Sequence, residues 1–209
     1  MVSATGGKGD VHTFDYLDKC HQYRWRNRVF AWHSAPAHSP AKGYRGLSAS
    51  VDRSTARLHI LSIWESEADR DASDGAMSKA RDEATEIIGG TMQVEKLEEL
   101  VSEVVKAPVP GSALMVSPFS MDPATIDENL SFFKKEIVPQ IKAAPGFCSL
   151  RNMVNRDTGE GYVGTVWADR ATLDKQAEGA AVARRKAASA RGITFGEIRY
   201  LEFVLVDTP

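Results

Sequence analysis

The sequence predicts an α+β fold made of two copies of one small module, and three observations support that prediction. A segment of 22 residues recurs with an offset of 103 residues, so that 43–64 aligns without a gap with 146–167. Each copy has the pattern of two short apolar strands around a polar turn. An alanine-rich stretch of good helix formers follows each copy and ends at glycine.

The repeat contains six identical residue pairs. They include the glycine before each first strand, Gly43 and Gly146, and the tryptophan that ends each second strand, Trp64 and Trp167. The other pairs are Leu47/Leu150, Val51/Val154, Arg53/Arg156 and Thr55/Thr158. The residues between the strands are typical of tight turns. Each copy is therefore predicted to contain a β-hairpin.

Helices are predicted over Glu67–Ile88 and Arg170–Arg191, directly after the two tryptophans. A closing strand is predicted over 198–206, where apolar residues alternate. The corresponding segment of the first copy, 94–104, fits a helical stripe at least as well as a strand. The repeat favours a strand there, because Leu97-Glu98 matches Leu201-Glu202 after a slip of one residue. We follow the repeat.

Upstream of the second hairpin, the pattern predicts a strand over 113–119 and then a helix. Asp122 has the place of an N-cap and Pro123 that of the first helical residue. Pro139 should kink or end this helix. Its apolar positions form one stripe that should be buried: Ile126, Leu130, Phe133, Ile137 and Ile141. The second copy then has the βαββαβ order of a ferredoxin-like module.

The first copy is less regular before its hairpin. We expect a strand over 11–16, a helix over 18–33 and a loop over 34–42, in that order. The proline-rich segment 105–112 is the expected connector between the copies. The predicted domains are therefore 1–107 and 108–209, each a ferredoxin-like module.

Composition limits the classes of partner. The formal net charge is −2 and the pI about 6.2, so no basic excess indicates nucleic-acid binding. The basic run 184–186 is interpreted as a solvated helix face. No apolar run approaches the roughly 20 residues that span a bilayer, so no membrane partner is expected. Two cysteines and no apolar signal segment favour a cytoplasmic protein.

The second copy resembles the antibiotic-biosynthesis-monooxygenase-type domains of the dimeric α+β barrel superfamily. The resemblance depends on the Pro145-Gly146-Phe147 entry, the hairpin, the strand ending Val166-Trp167 and the alanine-rich helix. It covers 113–207 and about 43–104. In that family two ferredoxin-like modules close a barrel, so it implies that this chain closes one as a pseudo-dimer within itself. Further self-association stays open.

The resemblance also implies a pocket beside the tryptophans. Trp64 and Trp167 would wall it and offer the indole N–H to a substrate oxygen. The alternative is that both are large core residues that fill this space. Haem-degrading relatives place a histidine on the helix after this tryptophan, and neither helix here carries one. We therefore expect no haem and no other cofactor.

Cofactor-free oxygenases of the family carry an asparagine four residues before the tryptophan. This chain has Ile60 and Val163 at those positions. Asn152, on the preceding strand, or Tyr162 could instead hydrogen-bond a phenolic oxygen of a substrate. Structural roles for both side chains remain an alternative.

All five histidines lie in the first copy, and their spacing does not fit a metal site. His33 or His59 could act as an acid or base in a pocket near Trp64, because histidine titrates near neutral pH. The sequence thus predicts a cofactor-independent monooxygenase-like protein that acts on an aromatic or polyketide-like small molecule. The alternative is a non-catalytic small-molecule-binding or stress-related protein of the same fold.

Overall fold

The computed structural model describes residues 11–18, 41–88 and 91–207. The bulk of the predicted helix 18–33 and of the predicted loop 34–42 lies outside the described residues. His33 lies outside them as well. The expectations for that segment therefore stay predictions.

Each half contains a β-hairpin, then a long helix, then a closing strand. The first half has the strands β1 (Val11–Asp18), β2 (Tyr44–Asp52), β3 (Arg57–Trp64) and β4 (Thr91–Val104), with helix α1 (Glu67–Ile88) between β3 and β4. The second half has the strands β5 (Ala113–Ser120), β6 (Phe147–Val154), β7 (Glu160–Trp167), β8 (Thr194–Phe195) and β9 (Arg199–Asp207). Its helices are α2 (Ile126–Phe132), α3 (Val138–Ala143) and α4 (Arg170–Arg191).

The 14 residues of β4 confirm the strand that the repeat predicts, and the helical alternative for this segment is wrong. Along its centre, buried and half-buried residues alternate: Leu97, Glu99 and Val101 are buried, and the residues between them are half-buried. The strand pairs with β1 on one side and with β6 on the other. A strand paired on both sides satisfies its backbone groups through its neighbours, which outweighs a weak local helical pattern.

All strand pairs are antiparallel, and the sheet closes on itself. The first half contributes the neighbours β4-β1-β3-β2 and the second half contributes β9-β5-β7-β6. The halves join where β2 pairs with β9 and where β4 pairs with β6. Since β5 also pairs with β7, every one of these eight strands has two neighbours. The fold is an α+β fold with a curled antiparallel sheet, and closure leaves no long free edge.

The helices cover the outer face of the curled sheet. Helix α1 packs on β1, β3 and β4, and α4 packs on β5 and β7. The N-cap of α4 is Asp169, whose carboxylate accepts a hydrogen bond from the backbone N–H of Thr172 at 2.8 Å. It ends at Gly192, which has a φ of 64°. Both predicted helices have the bounds that the sequence indicates.

The segment 126–143 departs from one regular helix. A π-helical turn, Phe133–Ile137, separates α2 from α3. Pro139 has no N–H to donate to the turn before it, and its ring collides with a regular helical carbonyl. The predicted effect of Pro139 is therefore confirmed, and its form is a widened turn rather than a helix end.

Among the described helices, none is long and apolar enough to cross a membrane.

Candidate functional site

A cavity of about 120 Å³ lies between the outer face of the second-half strands and the helices α2, α3 and α4. The strands build its floor through their register. Ser117 on β5 lies opposite Val163 on β7, and Val163 lies opposite Asn152 on β6. Residues opposite one another on neighbouring strands share a face of the sheet, so these three side chains form one row beneath the helices.

The walls of the cavity are mainly apolar. All five members of the predicted buried stripe line the cavity. Ile126 is buried, and the other four are half-buried: Leu130, Phe133, Ile137 and Ile141. The π-helical turn carries Phe133 and Ile137. A widened turn moves side chains relative to a regular helix and is common at functional sites. The stripe is therefore a cavity wall rather than solid core.

Trp167 forms one end of the wall and is 3% exposed. Its ring meets Phe147 edge to face, with centroids 5.8 Å apart and planes at 77°. The indole N–H donates to Thr165 Oγ1 at 3.2 Å. The N–H that the resemblance assigns to a substrate oxygen is thus engaged within β7. The hydroxyl of Thr165 also faces the cavity and can in turn donate its own proton.

Asn152 lines the same cavity as Trp167 and is 6% exposed. Its Oδ1 accepts no hydrogen bond from any described residue. A buried amide oxygen without a donor costs roughly 1–3 kcal/mol. The arrangement therefore favours a ligand that brings a donor to this oxygen.

Arg184, on α4, is the positively charged residue of the cavity lining. It is half-buried, and its Nη1 lies 3.4 Å from Ser117 Oγ and 3.7 Å from Met115 Sδ. Burial lowers the pKa of Arg184, Tyr200 opposes that shift, and Arg185 adds to it. In the described part of the chain, no carboxylate forms an ion pair with Arg184. The guanidinium remains charged and is open to an anionic group.

Tyr162 and His59 face the other side of the sheet. Both line a second cavity, of about 90 Å³, inside the closed sheet. The Tyr162 hydroxyl donates to Glu95 Oε1 at 2.9 Å, and the Arg199 guanidinium lies 5.9 Å from the centre of its ring. The structure therefore does not bring Tyr162 together with Asn152 and Trp167.

His59 is 2% exposed. Its burial, together with Arg199 and Arg57, lowers its pKa to about 3, while Asp52 acts in the opposite direction. An imidazole with that pKa is neutral near pH 7 and makes a weak base. Its position inside the barrel also separates it from Trp64, whose side chain points to the helix side of β3.

Trp64 is 1% exposed and lines neither of these two cavities. Its N–H donates to Ser62 Oγ at 3.1 Å, and its ring meets Tyr44 edge to face at 5.5 Å. These contacts are those of a core tryptophan. Of the predicted site residues, the structure brings together Trp167 and Asn152.

Arg184 is the residue that the sequence interpretation missed. The run 184–186 was expected to be a solvated helix face, and Arg185 and Lys186 are exposed as expected. Arg184 differs because it occupies the inward stripe of α4 with Leu173, Ala180 and Ala187. The signal was a cation at helical spacing within an otherwise apolar stripe.

Within the described ranges, no group of three or more histidine, cysteine, aspartate or glutamate side chains is placed to hold a metal ion.

Comparison with solved structures finds several with a similar fold. Two bacterial proteins that both bear the name "putative monooxygenase" are similar over nearly the whole chain. The one from Fusobacterium nucleatum has a TM-score of 0.70 at 12% identity, covering 98% of this chain and 96% of its own. The one from Lactobacillus acidophilus has a TM-score of 0.67 at 14% identity, covering 96% and 97%. An anthrone oxidase-like protein has a TM-score of 0.65 at 13% identity, covering 96% and 93%.

The sequence comparison finds uncharacterized proteins of Mycobacterium tuberculosis. One from strain H37Rv is 29% identical over 124 residues, which is 59% of this chain and 55% of the relative. Another from the same strain is 26% identical over 120 residues, which is 57% of this chain and 51% of the relative. The chain thus spans about half the length of the curated relatives that it matches. No protein-family profile matches the sequence.

Proposed function

We propose that this protein binds an aromatic small molecule in the cavity between the second-half strands and helices and oxidises it with O₂, without a cofactor. The observation that carries the proposal is the cavity itself. Its walls are apolar and aromatic, and Asn152 presents a buried amide oxygen with no donor among the described residues. A largely apolar pocket with a few converging polar groups is the usual form of a small-molecule site.

The chemistry needs an electron-rich ring. A phenol and O₂ can give a quinone and water: one oxygen atom enters the ring, and the other leaves as water with two hydrogens from the substrate. The substrate supplies all the electrons, so atoms balance without another reductant. In this proposal Asn152 accepts the phenolic O–H and orients the ring, and Trp167 and Phe133 hold its faces away from water.

The similar solved structures support this class of chemistry through their names alone. Two bear a monooxygenase name and one an anthrone oxidase-like name. At 12–14% identity these likenesses concern the fold, and folds host many activities. The site must therefore carry the proposal, and activity on this chain must be measured.

A second candidate function is non-catalytic binding of a small molecule. The observation that favours it is Val163, an apolar residue four positions before Trp167 and in the middle of the cavity floor. The indole N–H is also engaged by Thr165. A cavity with few free polar groups can hold a ligand without activating it.

The test uses the full chain, treated with a chelator, and phenols of one, two and three rings. We expect uptake of one O₂ per quinone formed, without release of hydrogen peroxide. Asn152→Leu should lower the rate at least about tenfold, because a site built to bind a hydroxyl depends on that contact. Tyr162→Phe, on the opposite face of the same hairpin, is the matched control and should leave the rate unchanged. Binding of a phenol without oxygen uptake would favour the second candidate.

We infer further that the chain is a tandem fusion, with modules over 1–107 and 108–209, that completes its barrel as a pseudo-dimer. Two equivalent ion pairs at the joints between the halves support this. The side chain of Arg53, directly after β2, donates to Glu202 on β9 at 3.1 Å. The side chain of Arg156, near the end of β6, pairs with Glu98 on β4. Light scattering should give a mass near 22.9 kDa. A stable mass of twice that value would show that another face remains for self-association.

A further inference from the structure

The charge of Arg184 has no counter-ion among the described residues, although the surface of the protein contains many carboxylates. Two other arginines with low exposure do have such partners: Arg81 lies 3.8 Å from Asp74, and Arg151 pairs with Glu99. Arg184 instead contacts a hydroxyl and a thioether, which are weak acceptors. A guanidinium beside an apolar cavity is suited to a carboxylate, which it can bind through two parallel N–H donors.

Asn152 provides the complementary feature at the other end of the cavity floor. Its Oδ1 is buried and accepts no hydrogen bond from the described residues. An amide oxygen accepts, so the group it needs is a donor. A hydroxyl on the ligand supplies that donor, whereas a second carboxylate would be repelled.

The distance between these two ends follows from the strand register. Ser117, beside Arg184, and Asn152 are separated by one residue of the row, Val163. Two strand spacings of about 4.8 Å place their backbones about 10 Å apart. A single aromatic ring with a polar group at each end fits that distance, with its face over Val163.

The volume of the cavity also indicates a ligand with a single ring. It is about 120 Å³, and an apolar protein cavity of about 150 Å³ is known to hold a benzene molecule. Two or three fused rings would require the helices to move outward. A cavity of this size therefore indicates a ligand with one ring.

We propose that the ligand of this cavity is a single-ring hydroxy-aromatic carboxylate, with its carboxylate on Arg184 and its hydroxyl on Asn152. This inference rests on the proposed function and narrows its substrate class from aromatic molecules in general to anionic ones. Arg184 acts as the residue that selects for charge, and Asn152 acts as the residue that selects for the hydroxyl.

The experiment measures binding by calorimetry on the full chain with four probes. These are 4-hydroxybenzoate, its neutral isostere 4-hydroxybenzamide, benzoate without the hydroxyl, and phenol without the carboxylate. We expect 4-hydroxybenzoate to bind at least about tenfold more tightly than each of the others, since each lacks one charge-assisted or hydroxyl contact.

Variants assign the two contacts. Arg184→Gln should weaken the binding of 4-hydroxybenzoate at least about tenfold and change the binding of phenol less than about twofold. Arg184→Lys should restore part of the lost affinity. Arg185→Gln removes the same charge from the neighbouring exposed position and should have little effect. Asn152→Leu should remove the preference for 4-hydroxybenzoate over benzoate.

The outcomes separate this inference from the proposed function. If phenol binds and is oxidised but 4-hydroxybenzoate binds no more tightly, the carboxylate assignment is overturned while the proposed function stands. If 4-hydroxybenzoate binds with the expected preferences but no probe is oxidised, the ligand assignment stands and the oxygenase activity fails. If none of the four probes binds, the ligand assignment is overturned, and the proposed function is overturned as well if the phenols of two and three rings also fail to bind.

Discussion

The hairpin–helix unit of the first half (β2, β3 and α1) and that of the second half (β6, β7 and α4) share one construction and differ in what they enclose. Helices α1 and α4 each have 22 residues and begin three residues after a strand that ends in tryptophan. In both, an aromatic residue meets that tryptophan edge to face, and a hydroxyl two positions earlier accepts its indole N–H.

The entry to each unit is also the same. Gly43 has a φ of 73° and Gly146 a φ of 78°, a conformation that favours glycine. A Cβ at either position would collide with the first turn of the following helix, at Asp69 or Thr172. The glycine therefore allows the strand and the helix to approach closely in both halves.

The two units differ at the positions beneath the helix. Asn152 corresponds to Ala49, which is fully buried in an apolar cluster. Arg184 corresponds to Arg81, which lies 3.8 Å from Asp74, whereas Arg184 has no such carboxylate among the described residues. The contacts that build the fold recur in both units, and the groups available to a ligand differ. This comparison points to the second half as the working site.

The largest expected effect tests the shared construction. Trp64→Ala and Trp167→Ala should each lower the free energy of unfolding by about 3–5 kcal/mol, because both remove a buried indole from a packed position. Phenol binding should weaken in Trp167→Ala alone, since Trp64 lines neither cavity. Urea unfolding and calorimetry measure the two quantities.

The phenylalanine versions of both variants provide folded proteins should the alanine versions be too unstable. If Trp64→Phe weakens phenol binding as much as Trp167→Phe does, the first half also contributes to the site, and the comparison between the halves fails.

The next effect concerns the interior of the barrel, where His59 in the first half corresponds to Tyr162 in the second. Since burial and the nearby Arg199 and Arg57 lower the folded-state pKa of His59 to about 3, the unfolded chain binds a proton more readily. Stability from this group is therefore complete above about pH 6.5 and is lost as the pH falls towards 3, by up to about 1.4 kcal/mol per pH unit.

His59→Leu should flatten the stability profile in that window, as measured by urea unfolding at a series of pH values. Above pH 7 the free energy of unfolding of the variant and that of the original protein should change with pH in the same way, which serves as the internal control. An unchanged acid slope would show that other groups govern the loss of stability.

Much of the fold could be predicted because the repeat supplies information that a single segment lacks. The segment 94–104 has an ambiguous pattern alone, and its relation to 198–206 resolves it as a strand, as β4 shows. Helix bounds follow from local chemistry, such as the Asp169 cap and the terminal Gly192. The widened turn at Phe133–Ile137 could not be predicted, since Pro139 indicates a disturbance but not its form.

The site was predicted in part, and the alternation of side chains between the two faces of a strand explains why. Tyr162 lies five positions before Trp167, and His59 lies five before Trp64, so an odd spacing puts each pair on opposite faces. That signal was present in the sequence. The placement of Asn152 and Trp167 in one cavity depends on the register between β6 and β7. The position of Arg184 beside that cavity depends on where α4 packs on the sheet. Both relations arise from tertiary structure rather than from local pattern.

A smaller effect tests the difference beneath the helices. Ala49→Asn should destabilise the protein by about 2–4 kcal/mol, because it forces an amide into a fully packed cluster and leaves it without partners. Asn152→Ala should stay within about 1 kcal/mol of the original protein, because it removes an amide oxygen that accepts no hydrogen bond from described residues. Urea unfolding compares the two. Equal losses would show that Asn152 is a structural residue, as the alternative interpretation of the sequence holds.

The smallest expected effect concerns the two joints between the halves. Arg53 pairs with Glu202 at one joint, and at the other joint Arg156 pairs with Glu98 and lies 3.0 Å from Asp127. These side chains are about half exposed, so each pair contributes roughly 0.2–1 kcal/mol. Arg53→Gln and Arg156→Gln should therefore each cost less than about 2 kcal/mol in the free energy of unfolding, measured by urea unfolding. Both costs should shrink at high salt because screening weakens exposed pairs. A larger, salt-independent loss at either joint would mean that the arginine there stabilises the closed sheet through its packed stem rather than through its charge.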